Sequence, residues 1–294
     1  MKILLILTLL SYSLHDDPTP QQAPAAVVSE SASDSKYPPA LAGITIPSHG
    51  VDMDATFYLA AGAGPHPTVL LLHGLPGYET NGDLAQSIRR AGWNVLLFHY
   101  RGTWGTSGDF STASAIEDTA SAVHFLRDPS HAAQYRSDTH RVAVVGHSLG
   151  GFLAGYQASH DLEIIAVAMI SAVNLGTIND DPTQRELRLQ RWNQQLHPVH
   201  GAGASQLFAE ALRHSKEWDY RQWADSLRSR PVLLVEADDQ NRTDMQALAT
   251  ALRNKNAPAL TNVPVATDHS FSDHRIALQS IVVQWLNQVP TAPH

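Results

Sequence analysis

Short apolar runs recur along the chain, and turn residues bound each of them. Runs this apolar over so few residues are typical of strands buried on both faces of a parallel sheet. A weaker run over residues 260–266 contains Pro264, which favours a strand at the edge of the sheet. The five strong runs are Val69–Leu72, Val95–Phe98, Val142–Val145, Ile164–Ile170 and Val232–Val235.

Two further segments precede these runs, and helical patterns separate them. Residues 43–47 and 55–59 are rich in β-formers and flank a Ser-His-Gly turn, so we expect an antiparallel pair. The capping-box pattern of Ser114 and Glu117 predicts the start of a helix that ends before Asp128 and Pro129. This alternation predicts an α/β fold, with helices on both faces of a mainly parallel sheet.

The amino-terminal residues differ in composition from the rest of the chain. Residues 1–15 contain one Lys followed by an apolar run that is too short to span a bilayer, which is typical of a signal peptide. We therefore expect export, although a cytoplasmic location stays open. Residues 16–39 are rich in Pro, Ser and Ala and predict a disordered linker. The folded domain is expected over residues 40–294.

One interval between strands is too long for an ordinary crossover. Residues 176–230 separate two apolar runs and carry apolar positions at helical spacing. We interpret this interval as a helical insertion. It is either a lid over the carboxyl edge of the sheet or an extra packing layer.

Composition excludes several functions. The chain has 294 residues, of which 43% are hydrophobic, and a formal net charge of −8 without a basic cluster, which argues against nucleic acid as a partner. It contains no cysteine, which excludes disulfides, a thiol nucleophile and thiolate metal sites. The spacing of its histidines matches no zinc motif. We expect no metal and no organic cofactor.

The strongest chemical signal is a G-x-S-x-G motif centred on Ser148. It follows the apolar run 142–145 directly and precedes a segment that can continue as a helix. A serine on such a sharp strand-to-helix turn is exposed above the sheet, where a base can reach it. The alternative is a glycine-rich turn whose serine only caps the helix.

A serine nucleophile needs a base, and the chain order selects one among 16 histidines. The base is expected after the last strand, where His269 stands; His274 is a weaker candidate. The carboxylate that orients the base is expected after the run 232–235. Asp239 is the first choice because it lies furthest into the loop, Asp238 follows closely, and Glu236 is a distant third.

Acyl transfer also needs two N–H groups that stabilise the developing oxyanion. One is expected from Leu149, directly after the serine. The other is expected from Leu75 in the loop HGLPG at 73–77, since Pro76 has no N–H. The alternative is that this loop is only a tight exit turn after a strand.

Together these segments resemble the α/β-hydrolase superfamily, and within it the prolyl-oligopeptidase and dienelactone-hydrolase-like serine hydrolases. The resemblance implies an eight-stranded, mostly parallel sheet and a triad of Ser148, His269 and Asp239. The chain departs from the family pattern around the acid, where the usual preceding glycine and following Val-Pro are missing. The matching segments are HGLPG at 73–77, YRGTWGTSGDF at 100–110, GHSLGG at 146–151, the Asp pair at 238–239 and DHSFSDHR at 268–275.

The predicted function is hydrolysis of carboxylic esters or related acyl bonds in a small-molecule substrate. Two alternatives stay open: a peptidase with the same triad, and a non-catalytic binding protein with this fold. No stable membrane span is expected, and the sequence does not indicate an oligomeric state. Candidates for the walls of the acyl pocket are Tyr78, Trp104, Trp192, Trp218 and Trp223.

Overall fold

The centre of the structure, a computed structural model, is an eight-stranded sheet with the strand order β1-β2-β4-β3-β5-β6-β7-β8. The structure describes residues 22–30, 34–178 and 182–290, without the side chains of 182–184 and 188. The strands are β1 Ala40–Ser48, β2 Val51–Leu59, β3 His66–Leu72, β4 Asn94–Phe98, β5 Ser137–His147, β6 Ala166–Ile170, β7 Val232–Glu236 and β8 Leu260–Pro264.

The strand directions confirm the predicted, mostly parallel sheet. β1 and β2 form an antiparallel hairpin, and β2 pairs antiparallel with β4. All other neighbours are parallel. β8, which contains Pro264, lies at one edge as its proline predicted. The carboxyl ends of β3 to β8 therefore meet at one edge of the sheet.

Helices cover both faces of the sheet, as the alternation predicted. One apolar core contains residues of α3, α5, α7, α8 and α9, and the other contains residues of α2 and α10. The helices are α1 Ala25–Val28, α2 Gly82–Arg90, α3 Thr112–Arg127, α4 Pro129–Tyr135, α5 Leu149–His160, α6 Pro182–Gln195, α7 Ala204–Arg213, α8 Ala224–Leu227, α9 Arg242–Asn254 and α10 Arg275–Leu286.

The start of α3 differs from the predicted capping box. Ser111 is the N-cap: its hydroxyl accepts a hydrogen bond from the amide of Ser114, and its own amide donates to the hydroxyl of Ser114. Glu117 instead forms an ion pair with Arg101. Because Ser111 can accept from the third helical amide in the same way, the helix begins earlier than the Ser114–Glu117 pattern indicated.

The predicted linker is partly ordered, which corrects the expectation of disorder for residues 25–28. These residues form α1, and Ala26 and Val27 pack against the core beneath α2 and α10. Arg90 Nε also donates to the carbonyl of Ala26 at 2.6 Å. Two adjacent apolar residues are thus enough to attach this Pro-rich stretch to the domain. The predicted signal peptide, residues 1–15, lies outside the described residues.

No helix in the described ranges is both long and apolar enough to cross a membrane.

Candidate active site

Ser148 stands on a sharp bend between β5 and α5. Its φ of 58° and ψ of −117° are strained for a residue with a side chain, which is typical of a functional turn. The flanking glycines permit this bend, because a Cβ on Gly146 would overlap the carbonyl of Gly150 and a Cβ on Gly150 would overlap that of Leu72. Ser148 is thereby held at the carboxyl edge of the sheet.

The structure brings Ser148 together with His269 and Asp239. His269 Nε2 lies 3.0 Å from Ser148 Oγ, and His269 Nδ1–H donates to Asp239 Oδ2 at 2.6 Å. His269 follows β8 and Asp239 follows β7, so each side chain comes from the carboxyl end of a different strand. The His269 side chain is 36% exposed whereas that of Asp239 is 7% exposed. Asp239, His269 and Ser148 thus form a hydrogen-bonded row. Its carboxylate end is buried, and solvent can reach the imidazole at its centre.

Asp239 is held as an anion by its surroundings. Burial alone would raise its pKa, but hydrogen bonds from His269 and Ser171 outweigh burial, so the pKa lies below its usual value. Ser171 Oγ donates to Asp239 Oδ2 and lies 2.9 Å from His269 Nδ1. Ser171 is not among the site residues predicted from the sequence. Its position directly after the apolar run 164–170 was the available signal.

The other candidates for acid and base have different partners. Asp238 is half exposed and forms an ion pair with Arg242. Glu236 is buried and accepts a hydrogen bond from Gln246 Nε2 at 3.2 Å. His274 is the N-cap of α10, and its Nδ1 lies 2.8 Å from Oδ1 of the neighbouring Asp273.

His147 supports the loop that carries His269. Its Nε2–H donates to the carbonyl of His269 at 2.7 Å, and the centroids of the two rings lie 4.8 Å apart. Burial, with a smaller contribution from the nearby His269, lowers the pKa of His147 to about 4. His147 is therefore neutral near pH 7, and it fixes the backbone of His269 rather than carrying a charge.

His73 and His99 form a separate pair at the end of β3 and β4. His73 is fully buried, and its Nδ1–H donates to the carbonyl of Gly74 at 2.7 Å. Its Nε2 lies 3.3 Å from His99 Nδ1. Burial lowers the pKa of His73 to about 4. The buried His73 and the half-buried His99 thus support the loop next to Ser148.

The HGLPG loop runs directly beside Ser148. A Cβ on Gly74 would lie 3.0 Å from Ser148 Cβ and 3.5 Å from its Oγ, so only glycine fits this approach. In the described part of the chain the amide of Leu75 donates to no acceptor. The amide of Leu149 is the first of α5, where helix N–H groups have no partner within the helix. Both amides are thus available to a ligand.

The aromatic candidates for pocket walls divide into two groups. Trp218 and Trp223 are buried in the core and are not pocket walls. Tyr78 is 65% exposed and Trp104 is 37% exposed, and their rings meet edge to face with centroids 5.3 Å apart. Trp104 Nε1–H donates to the carbonyl of Pro76, which joins this exposed pair to the HGLPG loop. Trp192 of α6 is partly buried against the core.

The interval predicted as a helical insertion contains α6, α7 and α8. The part from α7 to α8 is packed: Glu210 of α7 accepts hydrogen bonds from the amides of Thr112 and Ala113 at the start of α3. Tyr220 is fully buried, and its hydroxyl donates to the carbonyl of Ala172. α6 has an exposed Leu187. A lid role is therefore a prediction that concerns α6 alone.

An open cleft of about 540 Å³ lies at the opposite edge of the sheet. It is lined by residues such as Arg127, Arg141 and Arg230, near the amino ends of β5 to β7. Ser148 does not line it, so it is not where acyl chemistry would occur. Among the described residues no group of three or more His, Asp or Glu side chains is arranged to hold a metal ion.

Comparison with known structures shows the same fold. An esterase from Pyrobaculum calidifontis aligns with a TM-score of 0.62 at 19% identity, covering 87% of this chain and 88% of that one. An esterase from Pyrococcus furiosus aligns with a TM-score of 0.58 at 18% identity, covering 88% and 98%. An acylaminoacyl peptidase from Pyrococcus horikoshii aligns with a TM-score of 0.64 at 14% identity, covering 87% of this chain and 42% of that one.

No curated protein sequence matches the chain, but a family model does. The model of the alpha/beta hydrolase family matches residues 69–291, which include the second part of β3, all of β4 to β8, and Ser148, Asp239 and His269. This match extends over most of the chain, and the observed eight-stranded, mostly parallel sheet is the one that the sequence resemblance implied. The chain therefore belongs to the alpha/beta hydrolase family.

Proposed function

We propose that the protein is a serine hydrolase that cleaves carboxylic esters or related acyl bonds. The observation that carries the proposal is the hydrogen-bonded row from Asp239 through His269 to Ser148, with 2.6 Å and 3.0 Å between the bonded atoms. A hydroxyl, an imidazole and a buried carboxylate in this order are the parts that nucleophilic acyl transfer requires.

The first half of the proposed reaction forms an acyl-enzyme. His269 Nε2 accepts the proton of Ser148 as Oγ attacks the substrate carbonyl carbon. The amides of Leu75 and Leu149 stabilise the oxygen that becomes negative, which is commonly worth several kcal/mol. His269 then gives the proton to the leaving alkoxide, and the alcohol departs. Asp239 stabilises the imidazolium throughout.

The second half releases the acid. His269 takes a proton from water, the hydroxide attacks the acyl carbon, and the same two amides hold the second oxyanion. The bond to Ser148 Oγ then breaks, and His269 returns the proton to Oγ. Every proton is transferred by this one imidazole, so the mechanism uses only side chains and amides of the chain together with water.

A fluorophosphonate probe tests the nucleophile. The wild-type protein should become labelled, the Ser148→Ala variant should not, and Ser159→Ala, on the same helix α5, should label like the wild type. Labelling that survives Ser148→Ala would contradict the assignment. A properly folded wild type that neither labels nor hydrolyses any ester would instead support a binding protein with this fold.

The substrate class is tested by comparing leaving groups. We expect p-nitrophenyl esters of short and medium acyl chains to be cleaved with kcat/KM values well above those for aminoacyl or peptidyl p-nitroanilides. The reverse ranking would make the protein a peptidase with the same triad. The esters release p-nitrophenolate and the anilides release p-nitroaniline, and absorbance measures both products.

A further inference from the structure

Ser171 occupies a strained position beside the acid–base pair. It follows β6 directly, its φ is 40°, and it is 1% exposed. A left-handed backbone is costly for a residue with a side chain and persists only where the surroundings enforce it. Because β6 lies between β5 and β7, this position places Ser171 between Ser148 and the loop that carries Asp239.

The Ser171 hydroxyl contacts both members of the pair. It donates to Asp239 Oδ2, the oxygen that also accepts from His269 Nδ1. It lies 2.9 Å from Nδ1 itself. Ser171 Oγ, Asp239 Oδ2 and His269 Nδ1 thus form a triangle in which each atom contacts the other two.

Asn241 forms hydrogen bonds with both Asp239 and Ser171. Its backbone amide donates to Asp239 Oδ1 at 2.8 Å, and its side-chain Nδ2 donates to the carbonyl of Ser171 at 2.9 Å. The amide of Ser171 in turn donates to the carbonyl of Val235 in β7 at 2.8 Å. Both oxygens of Asp239 are therefore held, and the residue that holds Oδ2 is itself tied to the residue that holds Oδ1. The adjacent Asp238 has Arg242 as its partner instead.

We propose that Ser171 is a positioning residue for the acid–base pair: braced by Asn241, its hydroxyl directs Oδ2 of Asp239 to His269 and so selects Asp239 as the orienting acid. This inference rests on the proposed hydrolase function, because it assigns a role within the same site. Ser171 acts through Asp239 and His269 and does not itself meet the substrate.

The charge on the carboxylate gives the proposal a specific signature. A hydroxyl that donates to Oδ2 spreads the negative charge of Asp239 and weakens its attraction for the imidazolium. Removal of that hydroxyl should strengthen the attraction and hold the proton on His269 up to a higher pH. The acid limb of the pH profile of kcat/KM should therefore move to higher pH, while the loss of orientation lowers kcat.

Ser171→Ala and Ser171→Gly both remove the hydroxyl, and the glycine variant also relieves the backbone strain. We expect kcat to fall about tenfold in both, the size of losing one hydrogen bond to a charged group, with KM unchanged. The acid limb should shift upward by about half a pH unit in both. Ser48→Ala is the matched control, since buried Ser48 donates to Asp118 at 2.7 Å away from this site; it should shift neither quantity.

Two outcomes would overturn the proposal. One is an unchanged acid limb and an unchanged kcat in both variants at Ser171. The other is a shift of equal size in Ser48→Ala. If neither Ser171 variant folds, Asn241→Ala is the test instead. It should shift the acid limb of the kcat/KM profile to higher pH by a smaller amount, and an unchanged acid limb would overturn the proposal. A wild type that fails to react with the fluorophosphonate would contradict the proposed function instead, so the two failures are distinguishable.

Discussion

Two groups of imidazoles lie at the same edge of the sheet, and they differ in what they can do. His269 is 36% exposed on its side chain, faces Ser148 Oγ and has a carboxylate partner. His73 is fully buried, and its ring nitrogens meet the carbonyl of Gly74 and the ring of His99. Both follow the carboxyl ends of strands, so location at that edge does not distinguish a base from a structural residue.

Burial and hydrogen-bond partners determine whether each of these imidazoles can act as a base. An imidazole with a carboxylate partner can become a cation at little cost, whereas one in an apolar core cannot. His73, like His147, has its pKa lowered to about 4 by burial. These neutral rings shape the loops around Ser148, whereas His269 combines solvent access with a carboxylate partner and faces Ser148 Oγ.

The largest expected effect separates the two groups directly. His269→Gln should lower kcat about a million-fold, because it removes the base for both half-reactions. His73→Gln should change kcat less than about tenfold but lower the free energy of unfolding by about 2 kcal/mol, as is usual for a buried hydrogen-bonded side chain. Ester hydrolysis and urea unfolding measure the two effects. Equal losses of kcat in both variants would contradict the assignment of His269 as the base and His73 as a structural residue.

The next effect compares the two neighbouring aspartates. Asp239→Asn should lower kcat about ten-thousandfold, since it removes the charge that orients and stabilises the imidazolium. Asp238→Asn should change kcat less than about twofold, because it breaks only a half-exposed ion pair with Arg242. Hydrolysis of one p-nitrophenyl ester by the two variants, each checked for the wild-type melting temperature, gives the ranking. The reverse ranking would assign the role of acid to Asp238.

The buried imidazoles also predict a loss of stability in acid. In the folded protein the pKa of His147 is lowered to about 4, whereas an unfolded histidine titrates near its model value of 6.5. Between these two values the unfolded chain binds the proton and the folded chain does not. The contribution is therefore complete above pH 6.5 and is lost as the pH falls towards 4. It amounts to about 3 kcal/mol.

Urea unfolding of wild type and His147→Gln across this pH range measures the effect. The glutamine amide can still donate to the carbonyl of His269 but does not titrate, so the variant should lose less stability than the wild type on acidification. Parallel curves for the two proteins would show that His147 does not carry the effect.

The smallest effect concerns the exposed aromatic pair beside the HGLPG loop. Trp104→Ala should raise KM for apolar esters several-fold, about what the loss of one partly buried aromatic contact costs, and leave kcat nearly unchanged. Leu162→Ala is the control, because Leu162 is 77% exposed at the opposite edge of the sheet. An equal change of KM in the control, or none in Trp104→Ala, would remove this pair from the substrate site.

The strands of the fold could be predicted because each buried strand has its own apolar run. The run 142–145, for example, lies within β5, and the proline in 260–266 correctly indicated an edge strand. Local chemistry was less predictable. Ser111 caps α3 in place of Ser114, since either serine can accept from a helical amide three residues later. α1 was missed because its packing partners, α2 and α10, are far away in sequence.

For the site, chain order placed Ser148, Asp239 and His269 at the ends of three strands, and the structure brings these three together. Ser171 also follows an apolar run directly, but neither that position nor the sequence around Asn241 indicates a contact with Asp239. Their contacts with Asp239 depend on a left-handed backbone at Ser171 and on the register between β6 and β7. No residue pattern in the sequence predicts that backbone conformation or that register.

Mapping the phosphonate adduct tests directly whether Ser148 is the nucleophile. The protein is titrated with a fluorophosphonate, residual ester hydrolysis is measured, and the modified peptide is located by mass spectrometry. We expect one adduct per chain, on Ser148, with activity lost in proportion to modification. Full activity with Ser148 modified, or complete inhibition with the adduct on another residue, would contradict it.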